Sequence, residues 1–342
     1  MARRLGQLRR PLLTTHVRPD GDALGSVAAL ALAYRDAGVP ADILLLSRLP
    51  NKYAFVLTDA GLRCRDASAE GWPELGGYDA VVVADTGTFS QLPGLSERLA
   101  APGGGGPGSV LVIDHHRTQE SWGTMRLVDV SAAATTELLA RVLRSWGVAL
   151  SPPLATALYV GLATDTGWFA FSNTTPSAMR LAADLMEAGV DADAIYRRLF
   201  QSEREPRLRL QARVMNSLEL RCGGRLAVMT ATADDFLATG ATVPDTENLI
   251  NFPLALGSVE MALLVTESPP PEDDTVKVSC RSKGAVDVAK FAEQFGGGGH
   301  ARASGLKLPG PLEQARERVV AAAEAQLAAA AAGCVGAGDG RM

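Results

Sequence analysis

The polar and apolar positions of this chain follow two rhythms. In the first half, short and almost wholly apolar runs alternate with longer stretches of helical pattern: LLTT at 12–15, then ALGSVAALALAYRDAG from Ala23, then ILLL at 43–46. The alternation continues with AVVVAD ending at Asp85, VLVID ending at Asp114, and the helical TTELLARVLRSWG from Thr135 and PLATALYVGLAT from Pro153. Strands that are apolar on both faces are expected where helices cover a parallel sheet from either side, so the pattern predicts βαβ units and an α/β fold.

The Gly- and Pro-rich stretch at 101–109 lies between two predicted strands and reads as a surface loop. From Asp191 to Leu220 the text is helical and rich in arginine, with no strand pattern inside it. A second α/β unit starts after Gly223 and Gly224 with RLAVMTAT, VEMALLVTE and VKVSCRS, followed by a helix over 286–295 and an Ala-rich helix from about Pro311 to near Gly333. SPPPEDD at 268–274 reads as an exposed turn and GAGDGRM as a frayed tail. The predicted organisation is a first domain over 1–190, a helical connector over 191–221, a smaller α/β domain with a mixed sheet over 222–333, and a disordered tail over 334–342.

Composition narrows the partners. Hydrophobic residues make up 47% and charged residues 21%, the balance of an ordinary globular protein. A net charge of -5 argues against a protein that grips long duplexes through a basic stripe, while small anionic ligands remain compatible. MARRLGQLRRPLLTTH has no sustained apolar core, so no secretion signal is expected, and no run approaches membrane-spanning length. Cys64, Cys222, Cys280 and Cys334 are scattered without CxxC spacing, which predicts free thiols and a cytoplasmic location.

The four histidines, His16, His115, His116 and His300, each sit among Asp or Gly at the edge of a predicted element. His16, Asp20 and Asp22 follow the first strand in HVRPDGDALGS; Asp85 ends VVVAD; Asp114, His115 and His116 end VLVID; Asp165 follows an apolar helix in GLATDTG. Singly, Asp22 or Asp85 reads as a helix cap, and Asp114 as a strand-end acid. Delivered together to the crevice at the carboxyl ends of parallel strands, these carboxylates and imidazoles need a cation to neutralise them. Imidazole and carboxylate without thiolate suit manganese or magnesium, with enough ligands for two ions and Asp85 placed to bridge them. Gly21, between two acids, is expected to allow a tight turn. GGGGHARASG, 296–305, reads either as a flexible connector or as a cradle of backbone N–H groups for a phosphate. Arg281 and Ser282 read as strand-surface residues or as phosphate contacts.

HVRPDGDALGS, VVVADTG, VIDHH and GLATDTGWFAFSNTTP resemble, in order, the four motifs of the DHH phosphoesterase superfamily. NFPLALGSVEMALLV and VKVSCRSKGAVDVAKFAEQFGGGGHARASG resemble its DHH-associated C-terminal domain. The resemblance is nearest to the oligoribonuclease and 3'-phosphoadenosine-5'-phosphate phosphatase type. It implies a Rossmann-like first domain and two divalent ions, manganese foremost with magnesium or cobalt as alternatives. It places His16, Asp20 and Asp85 around one ion, and Asp22, Asp85, His115 and Asp165 around the other. Asp114 becomes a supporting acid and His116 faces the scissile phosphate. Gly298, Gly299, His300, Arg281 and Ser282 become substrate contacts in a cradle facing the metals. Short oligoribonucleotides or nucleotide bisphosphates are then the expected substrates, without long duplexes or a membrane, and a homodimer is a candidate assembly. Rival readings are a phosphodiesterase for cyclic dinucleotides or their linear products, and a non-catalytic nucleotide sensor, against which the complete set of Asp and His residues speaks.

Overall fold

A computed structural model describes residues 1–99, 109–267, 275–283 and 286–335, without the side chains of 300 and 330–335. The loop expected at 101–109, apart from Ser109, the turn expected at 268–274 and the tail from 336 onward lie outside the described residues. The chain forms two compact units, Met1–Ser202 and Glu203–Met342. The division falls within the arginine-rich helical stretch.

Unit 1 is built on six strands: β1 Pro11–Thr14, β2 Asp42–Leu45, β3 Cys64–Asp66, β4 Ala80–Ala84, β5 Val110–Asp114 and β6 Met125–Val128. All are parallel, in the order β3-β2-β1-β4-β5-β6. The α/β fold expected from the alternating runs is present, and the strands that announced it are the buried ones. Every residue of β1 and β4 is buried, which is why neither shows a polar face in the sequence. Between β1 and β4 the chain's direction of winding reverses, and such a switch point opens a crevice at the carboxyl ends.

Three helices determine what that crevice holds: α1 Gly21–Asp36, α2 Thr135–Trp146 and α3 Pro152–Asp165. In α1 every residue from Gly21 to Tyr34 is buried, so the helix is covered on every side and depends on its neighbours for stability. Gly21 does not make the tight turn expected of it. It is the first residue of α1, and a Cβ there would lie 2.2 Å from Thr164 Oγ1. The residue has to be small because α1 and α3 touch.

Unit 2 carries a mixed sheet of β7 Glu219–Arg221, β8 Leu226–Ala231, β9 Met261–Glu267, β10 Thr275–Ser282, β11 Gly298–His300 and β12 Ala303–Pro309. Their order is β11-β12-β10-β9-β8-β7, with β8 and β9 parallel and the other pairs antiparallel. Its apolar core draws on Val278, Val288, Phe291, Leu306 and Val319. Among the described residues no helix is long and apolar enough to cross a membrane. Cys64, Cys222 and Cys280 are free thiols.

Candidate metal centre

At the carboxyl edge of β1 and β4 the predicted acids and imidazoles of unit 1 come together. The Nε2 of His16 lies 3.5 Å from an Asp85 oxygen and 3.9 Å from Asp20. The Nε2 of His115 lies 3.6 Å from Asp165, 3.8 Å from Asp85 and 3.9 Å from Asp22. Ligand atoms of His16, Asp20 and Asp85 gather within 4.8 Å of one another, as do those of Asp22, His115 and Asp165. Asp85, His115 and His116 form a third such group, so Asp85 stands between the clusters. Its backbone is left-handed, with φ 66°, and its N–H is held by Ile113 O at 2.9 Å. That conformation costs roughly 1–2 kcal/mol for a residue with a side chain.

The carboxylates are positioned by donors from across the fold. Asp20 caps its own helix, accepting from the N–H groups of Asp22 and Ala23 at 3.0 Å. Asp22 caps a different helix. Ala134, at the N-terminus of α2, has no side chain that can cap. Asp22 instead accepts from the N–H of Thr135 at 2.6 Å, the N–H of Thr136 at 2.9 Å and the Thr136 hydroxyl at 2.7 Å. The Thr135 hydroxyl donates to Asp85 at 2.8 Å. The positive end of the α2 dipole therefore faces both acids.

Even so, the acids resist ionisation. Burial is the largest influence on Asp22, Asp85 and Asp165 and raises all three, with neighbouring aspartates adding to it and His115 partly offsetting it at Asp22 and Asp165. Asp85 is driven well above the ordinary carboxylate value, and Asp165 up to about 6. Asp114 behaves differently. Burial opposes its charge too, but hydrogen bonds from His116 and Gln119 outweigh that and hold it below the ordinary value. His116 Nδ1 lies 2.8 Å from Asp114, and this bond raises the imidazole's pKa.

A divalent cation fits this donor set. The Nδ1 of His115 faces the carbonyl of Ala132 at 3.2 Å, and that of His16 faces Val17 O at 2.9 Å. A carbonyl can only accept, so Nδ1 carries the proton and each Nε2 turns a lone pair toward the carboxylates. The His115 Nε2 is buried without a hydrogen-bond partner. Its distances to three carboxylates are too long for hydrogen bonds and are those of ligands around a shared ion.

The chain as a whole is similar to known proteins. Residues 11–162 match the DHH family, N-terminal domain, and residues 237–329 match the DHHA1 domain. A bifunctional oligoribonuclease and PAP phosphatase from Thermus thermophilus is 32% identical over 316 residues, covering 92% of this chain and 89% of that protein. The chain belongs to the DHH phosphoesterase family. The resemblance carried by the four motifs is borne out, and with it membership of a metal-dependent family of hydrolases acting on phosphoester bonds. A Bacillus subtilis protein of the same name is 25% identical, covering 87% of this chain and 88% of that protein. In fold, an exopolyphosphatase-related protein from Bacteroides fragilis superposes with a TM-score of 0.79 at 23% identity, covering 94% of this chain and 93% of the other.

The DHHA1 portion shows what became of the other candidates. GGGGHARASG forms a hairpin: Gly298, Gly299 and His300 of β11 pair with Gly305, Ser304 and Ala303 of β12. Arg281 lies in β10 opposite Ala303, its Nη1 donating to Cys280 O at 3.1 Å. Burial holds its guanidinium below the ordinary arginine value. The Ser282 hydroxyl donates to Val286 O at 2.7 Å and lies 3.3 Å from Ala301 O, so its proton is engaged within the fold. Sequence reading missed several residues of this DHH phosphoesterase. Thr135 and Thr136 read only as a helix start. Gln119, whose amide donates to Asp114 and to His116 O, carries no motif signal. Asn173 lies inside GLATDTGWFAFSNTTP, yet only the fold brings its amide to Asp165 O at 3.1 Å.

Proposed function

We propose that this enzyme hydrolyses very short oligoribonucleotides to nucleoside 5'-monophosphates and removes the 3'-phosphate of adenosine 3',5'-bisphosphate, with two divalent cations of which manganese is the best fit. The observation that carries the reading is the buried, unpartnered Nε2 of His115 turned on three carboxylates. Support for the substrates comes from extended similarity, over 92% of the chain, to a protein named for both activities.

His16, Asp20 and Asp85 would hold one ion, and Asp22, Asp85, His115 and Asp165 the other. Bound divalent cations supply Lewis-acid polarisation of the phosphate and activate water at neutral pH. The remaining tasks fall to the chain itself. Asp114, fully buried and kept ionised by its hydrogen bonds, orients His116 through Nδ1 and raises its affinity for a proton. The half-exposed His116 can then hold a proton on Nε2 and deliver it to the departing oxygen. Arg281, Gly298, Gly299 and His300 are the proposed contacts to the substrate's end. An arginine suits bidentate phosphate contact, and its partial burial favours pairing with an anion.

A panel of substrates with manganese tests the reading: dinucleotide, pentanucleotide, long RNA, adenosine 3',5'-bisphosphate and a cyclic dinucleotide. The dinucleotide and the bisphosphate should be turned over fastest. Exclusive turnover of the cyclic dinucleotide, or of none of the five, would overturn it.

A further inference from the structure

Beyond Asp165 the backbone enters an uncommon conformation. Gly167, Trp168 and Phe169 all have positive φ, at 55°, 58° and 64°, a region that bulky residues avoid unless their surroundings enforce it. Hydrogen bonds provide that enforcement. The N–H of Trp168 donates to Ala163 O at 2.6 Å, that of Phe169 to the Thr166 hydroxyl at 3.1 Å, and that of Phe171 to Thr166 O at 2.9 Å. Asn173 pins the far end, donating to Ala133 O at 2.9 Å and Asp165 O at 3.1 Å, and reaching the Asp165 carboxylate at 3.4 Å.

Trp168 and Phe169 use this turn to pack edge-on against Tyr159, with ring centroids 6.0 Å away in each case. Phe171 does the opposite. It is 61% exposed, and no ring contact joins it to another aromatic residue among those described. Its ring lies against Gly167 so closely that a Cβ there would sit 2.5 Å from three ring carbons. A rigidly anchored segment thus holds an apolar ring with an open face, on the same loop that fixes a carboxylate of the metal centre.

We propose that Phe171 is a platform on which a nucleobase of the substrate stacks, seating the nucleotide next to the scissile phosphate. The inference rests on the oligonucleotide reading above and adds a binding element to it. Stacking suits the site for two reasons. The metal ions and Arg281 would engage only the phosphates, so a base needs an uncharged surface of its own to be held. Every base has a π face, so one ring can serve a substrate of any sequence. A protein partner would need an interface of about 1,000 Å² or more, which a single ring does not offer.

The test compares pApA with analogues in which either base is replaced by hydrogen, using Phe171→Ala and Phe171→Trp in the full chain with manganese. Phe171→Ala should lower kcat/KM on pApA by about tenfold or more, chiefly through KM. The loss should be several times smaller on at least one abasic analogue, and Phe171→Trp should restore most of the activity on pApA. Three results would overturn the platform: wild-type kinetics in Phe171→Ala, equal losses on pApA and both analogues, or a Trp variant as poor as the Ala variant. If the wild-type enzyme turns over none of these substrates, the oligonucleotide reading fails and takes the platform with it. Turnover by the wild type without a selective loss in Phe171→Ala removes the platform alone.

Discussion

Asp85 combines a left-handed backbone with near-complete burial and acidic neighbours, and the last two raise its pKa well above the ordinary carboxylate value. Asp85→Asn should therefore cut turnover by at least about a hundredfold, while the metal-free protein melts no lower than wild type. A lower melting temperature would show that the charge itself supports the fold. Asp165 gives the matching pH signature. Its folded-state value of about 6 lies above the ordinary 3.8, so the folded protein binds more protons than the unfolded one between those values. The stability it contributes is complete below about pH 4 and is lost as the pH rises through 6. Melting curves of metal-free protein should show a fall across that window, Asp165→Asn should make it shallower, with Asp22 and Asp85 accounting for what remains, and manganese at pH 7 should reverse it. The acids and imidazoles of the site were legible because so many of them gather at the ends of apolar strands, although each alone reads as a cap or turn residue. Thr135, Thr136 and Gln119 were not, because a donor's role depends on which carboxylate the fold brings to it.

The N-terminus of α2 and the contact between α1 and α3 are the elements on which the candidate metal centre depends. Because Asp22 caps α2 from 113 positions away in sequence, it is both a ligand candidate and a structural cap. Asp22→Ala should destabilise the protein by about 1–2 kcal/mol, whereas Asp22→Asn, which keeps one of the two accepting oxygens, should lose activity and a smaller part of that stability. Chemical denaturation of the two variants separates these roles. Gly161 of α3 faces the same place: a Cβ there would meet Thr136 Cγ2 at 2.4 Å and Asp22 Oδ1 at 2.7 Å. Gly161→Ala is expected to cost about 1–3 kcal/mol and to weaken manganese binding measured by titration calorimetry. The main strands and helices of unit 1 could be read from the chain because parallel strands are long in apolar residues and helices have a period. The edge strands β3 and β6 escaped notice: they are short, partly exposed and lack a continuous apolar run. The β11–β12 hairpin was hidden behind a glycine run that is equally compatible with an unstructured link.

At the scale of the whole molecule, a charge of -5 sets how substrate length should matter. Each nucleotide added beyond the site brings a phosphate and gains no basic stripe to hold it. Rates per substrate end should fall from di- to pentanucleotide and again toward long RNA, with only a shallow dependence on salt. Processive degradation of long RNA at the dinucleotide rate, or cleavage within a circular RNA, would contradict this. The order of the strands has a further consequence, one of timing. β1 is the first strand in the chain but sits in the middle of its sheet, and the candidate ligands run from His16 to Asp165. During synthesis β1 leaves the ribosome before either flank, and α1 lacks its main packing neighbour until α3 follows. A nascent chain arrested before Pro152 would carry most of the acids and imidazoles but neither Asp165 nor the helix that α1 packs against. Capture of manganese by such a chain should be weak, which makes metal retention a report that the chain has been translated past Asp165.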